Sequence, residues 1–456
     1  MKQFVISLLV LLIGFSAIHA QAADIAGGAR VDDALAQGDW PQFRGPGGQG
    51  DVGDVALPLT WSESEGIKWK TELPGRGWSS PVIADGKIWL TAAVEIPATA
   101  SELEATRAKL ASNPSGGDMG AAGSLELLAL EVDLATGKLL RTVPLFTIDE
   151  PPPIHNLNSY SSPTPVLADG RLLCHFGTFG VACVDAKSGE VKWRRQLQID
   201  HIVGPGSSPV VVGDVVILTC DGADEQFIAG LDVETGETRW QVDRPPLREE
   251  NPDMRKSFCT PLVFEHAGRQ QAVIPGAQWF ISYDPATGDE IWRVDHGSGF
   301  SNVPRPVFDG ERVYLCTGFG KPQLWAVRAD GTGDVSETHV DWRQKQQIPA
   351  MSSPVVSDGR IYVISDGGVA SCFDTANGEM IWRERIPGKY SASPLLADGR
   401  IYFCSQEGRT TVIADAAEYR ELAANQLDGM HMSSPAVAEN DLILRTDSHL
   451  YRIGGE

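Results

Sequence analysis

A set of side chains suited to binding chemistry falls in the stretches between short apolar runs of this chain. They are aromatic, cationic or imidazole groups. Aromatic faces stack on flat groups, and cations bind carboxylates, phosphates or aromatic rings. We expect them to form an interaction rim built from loops on a rigid scaffold. The candidate residues are Trp78, Tyr160, His201, Arg255, Lys256, Trp279, Arg305, Lys321, Lys389, Tyr390 and His431.

The compact motifs of common enzymes are missing from the sequence. It contains no Gly-x-Ser-x-Gly, no His-Glu-x-x-His and no phosphate-binding P-loop. Residues 220–226 (CDGADEQ) group three carboxylates, and Ca²⁺ prefers oxygen ligands, but their spacing does not match an EF-hand. The sequence therefore assigns no catalytic, cofactor-binding or metal-binding residue, and a non-catalytic protein is favoured over an enzyme.

A short sequence motif that recurs along the chain indicates the elements that would position the rim. It resembles Ser-Ser-Pro-Val-Val, and its proline repeats at intervals of about 40–50 residues, the size of one propeller blade. One longer step marks an insertion in the first repeat. We expect eight repeats, anchored at Pro81, Pro165, Pro209, Pro261, Pro306, Pro354, Pro394 and Pro435.

Each repeat predicts four short strands. An Asp-Gly pair such as Asp358-Gly359 follows the first strand in several repeats and suits a tight type I′ hairpin turn. The fourth strand ends in a tryptophan, and a buried indole at a recurring position suits a packing wedge between neighbouring repeats. The tryptophans with this spacing are Trp193, Trp240, Trp292 and Trp382.

The last repeat stops before its tryptophan strand. The missing strand is predicted at the other end of the chain, where residues 66–70 (GIKWK) resemble the tryptophan strands. Pairing of that strand with the last repeat would close the ring and remove open sheet edges. The predicted fold is therefore all-β: an eight-bladed β-propeller of four-stranded antiparallel blades, closed by the N-terminal strand.

The insertion of the first repeat spans about residues 97–123. Ser101-x-x-Glu104 matches a capping box, and the following residues favour a helix to about Ser112. Its place between the second and third strands puts it on the rim. A partner-binding arm and a tolerated surface insertion both remain open.

The N-terminus has the pattern of a signal peptide, predicted over residues 1–22. Lys2 precedes an apolar stretch, and Ala20-Gln21-Ala22 fits a cleavage site. Residues 23–60 are predicted as a segment that leads into the ring, and residues 61–456 as the propeller. We expect an exported protein, periplasmic or extracellular, that is soluble after cleavage and does not span a membrane.

Charge and cysteine usage restrict the partners. The net charge of −22 is scattered along the chain, which argues against nucleic acid. The seven cysteines mostly follow β-rich runs and are predicted as buried strand residues, with a Cys174–Cys183 disulfide as the alternative. We expect a monomer.

The repeat in residues 352–382 (SSPVVSDGRIYVISDGGVASCFDTANGEMIW) resembles the pyrroloquinoline-quinone (PQQ)-like repeat, one per propeller blade. The leading DWPQFRGPGGQG (residues 39–50) is similar to a segment of secreted members, and Arg44 in it is a minor candidate for ligand binding. The superfamily includes quinoprotein dehydrogenases as well as non-enzymatic BamB-type scaffolds of outer-membrane assembly. The resemblance therefore implies the fold and leaves two functions.

The first hypothesis is a non-catalytic propeller that binds a protein or polymer partner in the cell envelope and needs no cofactor. The alternative is an oxidoreductase dependent on PQQ and Ca²⁺. By resemblance, the alcohol-dehydrogenase type has adjacent cysteines over its cofactor, and this sequence has no Cys-Cys pair. The first hypothesis is favoured for that reason.

Overall fold

Short strands joined by tight turns make up most of the structure. The computed structural model describes residues 38–110 and 119–455. These residues contain one α-helix, α1 (Ala100–Leu110), and two single-turn 3-10 helices, Gly177–Phe179 and Pro252–Met254. No described helix is both long enough and apolar enough to cross a lipid bilayer. The predicted signal peptide and residues 23–37 lie outside the described residues.

The strands of the described residues are, in chain order, β1 (Ile67–Glu72), β2 (Val82–Ala84), β3 (Lys87–Pro97), β4 (Met119–Gly120), β5 (Ala122–Asp133), β6 (Leu139–Asp149), β7 (Ile154–His155), β8 (Val166–Ala168), β9 (Arg171–His175), β10 (Val181–Asp185), β11 (Val191–Arg195), β12 (Val210–Val212), β13 (Val215–Asp221), β14 (Gln226–Asp232), β15 (Thr238–Asp243), β16 (Leu262–His266), β17 (Arg269–Pro275), β18 (Trp279–Tyr283), β19 (Glu290–Asp295), β20 (Val307–Phe308), β21 (Arg312–Cys316), β22 (Leu324–Arg328), β23 (Gly333–Asp334), β24 (Val340–Gln344), β25 (Val355–Ser357), β26 (Arg360–Ile364), β27 (Val369–Asp374), β28 (Met380–Arg385), β29 (Leu395–Ala397), β30 (Arg400–Cys404), β31 (Arg409–Ala414), β32 (Glu421–Gln426), β33 (Ala436–Ala438), β34 (Asp441–Arg445) and β35 (His449–Ile453).

Eight antiparallel sheets arranged as a propeller confirm the predicted fold. Blades 1 to 8 have, from the channel outwards, the orders β2-β3-β5-β6, β8-β9-β10-β11, β12-β13-β14-β15, β16-β17-β18-β19, β20-β21-β22-β24, β25-β26-β27-β28, β29-β30-β31-β32 and β33-β34-β35-β1. The short β23 adds to the outer edge of blade 4 in parallel with β19. The apolar clusters lie between blades, because each sheet buries both faces against its neighbours.

The turn between the first two strands has the predicted conformation. In blade 1, Asp85 and Gly86 have φ angles of 52° and 69°. Positive φ at both central residues is the requirement of a type I′ turn, and glycine meets it without a steric penalty. The Asp-Gly pairs of blades 1, 2, 6 and 7 share this conformation and set the register of their inner hairpins, whereas Asp309 of blade 5 has no positive φ and its turn differs.

The ring closes through the N-terminal strand, as predicted. Strand β1 pairs antiparallel with β35, with Ile67 opposite Ile453. Its tryptophan, Trp69, donates from Nε1 to the carbonyl of Leu134 in blade 1 at 2.9 Å. Blade 8 is thus completed by residues from both ends of the described chain, and no blade edge is left open at the junction.

The recurring tryptophans join neighbouring blades. Trp193 of blade 2 donates to the carbonyl of Val233 in blade 3 at 2.9 Å, and Trp342 makes the equivalent bond to Thr375 at 2.8 Å. A Cβ placed on Gly236, in the turn of blade 3, would lie 2.7 Å from the Trp193 ring. The tryptophan and the turn glycine therefore form one contact, and the predicted wedge is confirmed there.

Trp292 differs in its hydrogen bond. Its Nε1 donates to Gln271 of its own blade at 2.8 Å. The ring is nevertheless fully buried in a cluster with Val313 and Leu315 of the next blade. It still packs between blades.

Backbone-to-hydroxyl hydrogen bonds run around the channel. The residue before each anchor proline is a serine or threonine in seven blades, and its hydroxyl accepts a hydrogen bond from the N–H of the corresponding residue in the preceding blade at 2.8–3.1 Å. We call these residues the hydroxyl ring: Ser80, Thr164, Ser208, Thr260, Ser353, Ser393 and Ser434. Blade 5 has Arg305 at this position, which donates its N–H to Ser353 but offers no hydroxyl to blade 4.

A segment before the first blade crosses the channel. We call residues 39–53 the plug. Trp40 exchanges backbone hydrogen bonds with Ile83 of blade 1, and Leu396 of blade 7 exchanges them with Gly50 and Val52. Trp40 is fully buried. The side chain of Gln49 accepts a hydrogen bond from the N–H of Phe308 in blade 5 at 2.6 Å, so the plug also reaches the blade opposite blade 1.

Candidate functional site

The connections of the blades define two faces. The turns between first and second strands lie on the face that carries the plug, which we call the lower face. Loops between second and third strands, and connections from one blade to the next, lie on the opposite, upper face, as the antiparallel strand orders require. The predicted rim belongs to the upper face.

Most predicted rim residues are on upper-face segments but are covered. Tyr160 and Tyr390 are buried and donate their hydroxyls to the carbonyls of Pro152 and Pro387. Trp78 is buried beneath the guanidinium of Arg76, which lies 4.7 Å from the ring centroid. These aromatic faces support the loops and do not form an open stacking surface.

Two predicted histidines are also buried. His201 lies against Phe258, with ring centroids 5.7 Å apart, and His431 donates its backbone N–H to Gln406. Burial lowers the pKa of His201 to about 3 and the pKa of His431 to about 4. Both imidazoles are therefore neutral at physiological pH and offer no cationic contact.

Four further cationic candidates on the upper face differ in how exposed they are. Lys256 is buried, and its ammonium lies 2.9 Å from Asp253. Arg255 donates to the side chain of Gln226 at 3.1 Å. Lys321 and Lys389 are exposed.

Trp279 is half-buried and lies between two cations. The guanidinium groups of Arg248 and Arg293 are 5.5 and 5.7 Å from its ring. Its aromatic face is therefore already in use within the protein.

Arg305 does not belong to the rim. It is buried in the channel, where Nη1 donates to the carbonyl of Phe43 at 2.5 Å and Nη2 donates to Gln42 at 3.0 Å. Its Nε donates to the carbonyl of Pro261 at 3.0 Å. The prediction placed it on the upper face from its position in the repeat, but the plug draws the guanidinium towards the lower face.

The first-blade insertion rises from the upper face. Strands β3 and β5 have 11 and 12 residues, while the corresponding strands of other blades have five to seven. The pairing continues to Pro97 opposite Ala122, so the unpaired insertion is shorter than predicted. Near its tip, the side chain of Ile96 is 54% exposed.

The insertion contains the predicted helix, but the cap lies two residues earlier. Thr99 and Glu102 form the capping box: the Thr99 N–H donates to the Glu102 carboxylate at 2.6 Å, and the Glu102 N–H donates to the Thr99 hydroxyl at 3.4 Å. The pair lowers the pKa of Glu102. The expected capping box of Ser101 and Glu104 is wrong in register, and the predicted end of the helix at about Ser112 lies outside the described residues.

A small cavity opens beside the insertion on the upper face. Its volume is about 200 Å³, and it is lined by Pro152, Phe179 and His201 among others. Ile202 at its wall has a φ of 55°, which is strained for a β-branched residue. His201 is the predicted rim residue that lines this cavity. Tyr160 packs against Phe179, which also lines it.

A larger cleft of about 680 Å³ lies on the lower face, between the inner turns of blades 1 and 2 and the plug. Volumes of this order accommodate small molecules. Its wall includes Glu131, a nearly buried carboxylate whose pKa is raised by burial and held down by Arg141, 3.2 Å away. The sequence analysis missed this cleft, although a glutamate within the apolar run LLALEVD was a usable signal.

A flat quinone with Ca²⁺ would need open aromatic faces and free oxygen ligands near the channel mouth. Asp221, from the carboxylate-rich CDGADEQ segment, is buried in an ion pair with Arg244 at 2.8 Å and is not free to bind a cation. Within residues 38–110 and 119–455, no three His, Cys, Asp or Glu side chains are grouped so as to hold a metal. With Trp78 and Tyr390 covered as well, the described residues do not fit a Ca²⁺-bound quinone, and we derive no step through one.

All seven cysteines are buried and unpaired, which confirms their predicted burial. Cys174 and Cys183 lie in the adjacent strands β9 and β10 but form no disulfide, so that alternative is wrong. Burial raises the pKa of the Cys404 thiol to about 11. A thiol with a raised pKa in an apolar site is a packing group and a poor nucleophile.

Comparison with known proteins agrees with this architecture. The family model described as outer membrane protein assembly factor BamB matches residues 128–274, 276–389 and 323–429. No curated protein matches the chain significantly.

Three solved structures illustrate the range of proteins that share the fold. BamB from Moraxella catarrhalis is 13% identical, with a TM-score of 0.57, over 86% of this chain and 97% of BamB. A europium-containing methanol dehydrogenase is 10% identical, with a TM-score of 0.63, over 93% and 100%. Quinohemoprotein alcohol dehydrogenase from Comamonas testosteroni is 12% identical, with a TM-score of 0.60, over 96% and 84%. At such identities the likeness shows the fold alone.

Proposed function

Because the chain belongs to the PQQ-like propeller family whose model is described as outer membrane protein assembly factor BamB, we propose that it is an exported, non-catalytic propeller that binds a protein partner in the cell envelope. Other proteins with this fold are dehydrogenases, so the fold does not choose between the two functions. The choice rests on the upper face.

The observation that supports a docking role is the extension of blade 1. Long strands raise Ile96 above the ring, and α1 follows, with exposed side chains at Ser101, Glu102 and Glu104. Further exposed apolar side chains lie on upper-face connections: Leu157, Phe319 and Met430. Apolar side chains that water surrounds in the free protein gain stability when a partner covers them.

The chemistry of the channel mouth also supports a scaffold. The aromatic residues that could stack on a flat cofactor donate hydrogen bonds inside their own loops, or lie under an arginine. The nearby carboxylate Asp221 is already neutralised by Arg244. The upper face is therefore better built for a protein surface than for a flat polyanion.

A photo-cross-linking experiment tests the proposal. A cross-linking amino acid replaces Ile96 on the upper face or, as the matched control, Ile381, which is exposed on the outer strand of blade 6. The full-length protein, including its N-terminal residues, is produced in bacterial cells. We expect a discrete protein adduct from position 96 in the envelope fraction and none from position 381.

The opposite outcome would be informative. Equal adducts from both positions, or none from either, would contradict docking on the upper face. In a parallel titration, saturable binding of PQQ with Ca²⁺ below about 1 μM, together with dye reduction by an alcohol or sugar, would replace the scaffold with the oxidoreductase.

A further inference from the structure

Two buried arginines meet in the channel without a carboxylate. Arg44 of the plug is 2% exposed and Arg305 of blade 5 is 1% exposed. Gly48 packs against the guanidinium of Arg305, and a Cβ on Gly50 would lie 2.8 Å from Nη2 of Arg44. Since two residues of chain span at most about 7 Å, the plug holds the two cations close together.

The hydrogen bonds of the two guanidinium groups are unequal. Each nitrogen of Arg305 donates to a protein oxygen. Arg44 donates from Nη2 to the carbonyl of Pro354 at 2.7 Å. Its Nε and Nη1 are buried and have no hydrogen-bond partner among the described residues. Such donors are costly to leave unpaired, because folding removes their water.

The positive charges of the two arginines are not neutralised by a nearby carboxylate among the described residues. Burial and the nearby charge of Arg305 together lower the pKa of Arg44 to about 9, and burial lowers the pKa of Arg305 to about 10. Both groups stay cationic at neutral pH. Arg244, by contrast, is matched by Asp221 at 2.8 Å. Arg445 of blade 8 is also buried with no carboxylate beside it in the described part of the chain, but its Nη1 donates to Ser79 and Thr91, and burial alone lowers its pKa.

Arg305 also occupies a repeat position at which the other seven blades have a serine or threonine. Seven blades place a hydroxyl there, and the hydroxyl accepts a bond from the preceding blade. Blade 5 gives up that bond for a second buried cation beside Arg44. An ordinary plug anchor would need hydrogen-bond donors but not two adjacent unneutralised charges.

We propose that Arg44 and Arg305 bind a small inorganic anion inside the channel, between the plug and the hydroxyl ring. The anion would accept hydrogen bonds from the free nitrogens of Arg44 and neutralise the pair. Chloride and phosphate share this chemistry, and the experiment separates them. The site is independent of the protein partner proposed above.

The test measures thermal unfolding of the protein after removal of halide and phosphate. Sodium chloride, sodium phosphate or sodium gluconate is added at constant ionic strength, because the net charge of −22 makes general screening stabilising in any salt. We expect chloride or phosphate to raise Tm by about 2 °C or more in a saturable way, while the bulky gluconate does not.

Variants connect the response to the site. Arg44→Gln should abolish the anion-specific rise in Tm. Arg420→Gln, which removes an exposed arginine, should retain it. Identical curves in the three salts, or an unchanged response in Arg44→Gln, would overturn the proposal.

A second measurement needs no variant. Crystals of the wild-type protein soaked in bromide should show an anomalous peak beside Nε or Nη1 of Arg44. Absence of a peak there, together with no anion-specific rise in Tm, would leave the two arginines as structural groups only. This result would stand even if Arg44→Gln failed to fold.

Discussion

The two faces of the ring are finished by segments outside the repeat, and the segments are unlike each other. On the lower face, the plug is buried and hydrogen-bonded to blades on both sides of the channel. On the upper face, the insertion of blade 1 continues two strands outwards and then exposes a helix. The first segment is part of the core, and the second is an addition to a blade that is complete without it. We therefore expect the lower face to contribute stability and the upper face to carry the proposed partner binding.

Removing the plug should have the largest effect. A variant lacking residues 39–53 loses Trp40, and truncation of one buried tryptophan alone costs about 3–5 kcal/mol. It also leaves Arg305 with unpaired donors, at about 1–3 kcal/mol more. We expect the free energy of unfolding in urea to fall by about 5 kcal/mol or more. A variant as stable as the full chain would show that the plug is an accessory like the insertion.

Loss of a tryptophan between two blades, which lies on neither face, should have an intermediate effect on stability. Trp342→Ala should reduce the free energy of unfolding by about 3–5 kcal/mol, because it opens a cavity and removes the bond to Thr375. Trp342→Phe keeps most of the volume and should lose less. If the two variants were equally stable, packing at the blade junction would not explain the recurring tryptophan.

Acid should weaken the upper face. The pKa of His431 in the folded protein is about 4, below the value of about 6.5 expected when unfolded. The neutral imidazole therefore contributes fully above pH 6.5, and the contribution is lost as pH falls towards 4, because the unfolded chain binds the proton more readily. The nearby Asp447 and Glu63 act against this effect by favouring the charged form.

We expect the wild-type protein to lose about 1–2 kcal/mol more than His431→Gln between pH 7 and pH 5, measured by urea unfolding at each pH. The control variant is His266→Gln, which replaces a half-buried histidine on the other side of the ring. An identical pH dependence in His431→Gln and the wild type would contradict the assignment.

A pair of glycines sharpens the description of the plug. Gly48 and Gly53 have φ angles of 67° and 61°, so alanine is strained at both. A Cβ on Gly48 would overlap the guanidinium of Arg305, whereas nothing lies within 4 Å of one on Gly53. Gly48→Ala should therefore be less stable than Gly53→Ala by about 1–3 kcal/mol. Equal Tm values would mean that the channel has room to adjust.

Removing the insertion should have the smallest effect. A variant lacking residues 99–118 keeps the pairing of Pro97 with Ala122 and of Met119 with His155. Cutting the connection between Pro97 and Ala122 from 24 residues to four changes the free energy of unfolding through closure entropy by about 1.6 kcal/mol at most, in the stabilising direction. Calorimetry should give a nearly unchanged Tm, while the adduct from a cross-linker at position 96 should weaken. A large loss of Tm would place the helix in the core.

The repeat predicts the architecture because each blade states the same physical requirements. Asp-Gly pairs predict the hairpins, and the tryptophans predict the blade junctions and the partner of β1. The direction of loop side chains was not predictable in this way. Tyr390 is buried because its hydroxyl bonds to Pro387 in its own loop, a contact that periodicity does not reveal.

Long-range contacts explain the other differences. Arg305 bonds to Gln42 and Phe43, which are more than 260 positions away, and no local pattern connects them. The plug was described from the sequence as a segment leading into the ring, without its path through the channel. What sequence analysis missed is therefore concentrated where residues outside the repeat meet residues inside it.

The pairing of β1 with β35 also affects how the chain reaches its native state. Tyr451 donates its hydroxyl to Glu63 across 388 positions of sequence. Contacts of such separation form late and slowly, because the chain must lose the freedom of the whole intervening loop before they contribute. During synthesis from the N-terminus, β1 has to wait for the last residues before it finds its sheet. Until then both its edges are open, so a newly made chain is most vulnerable to aggregation just before the ring closes.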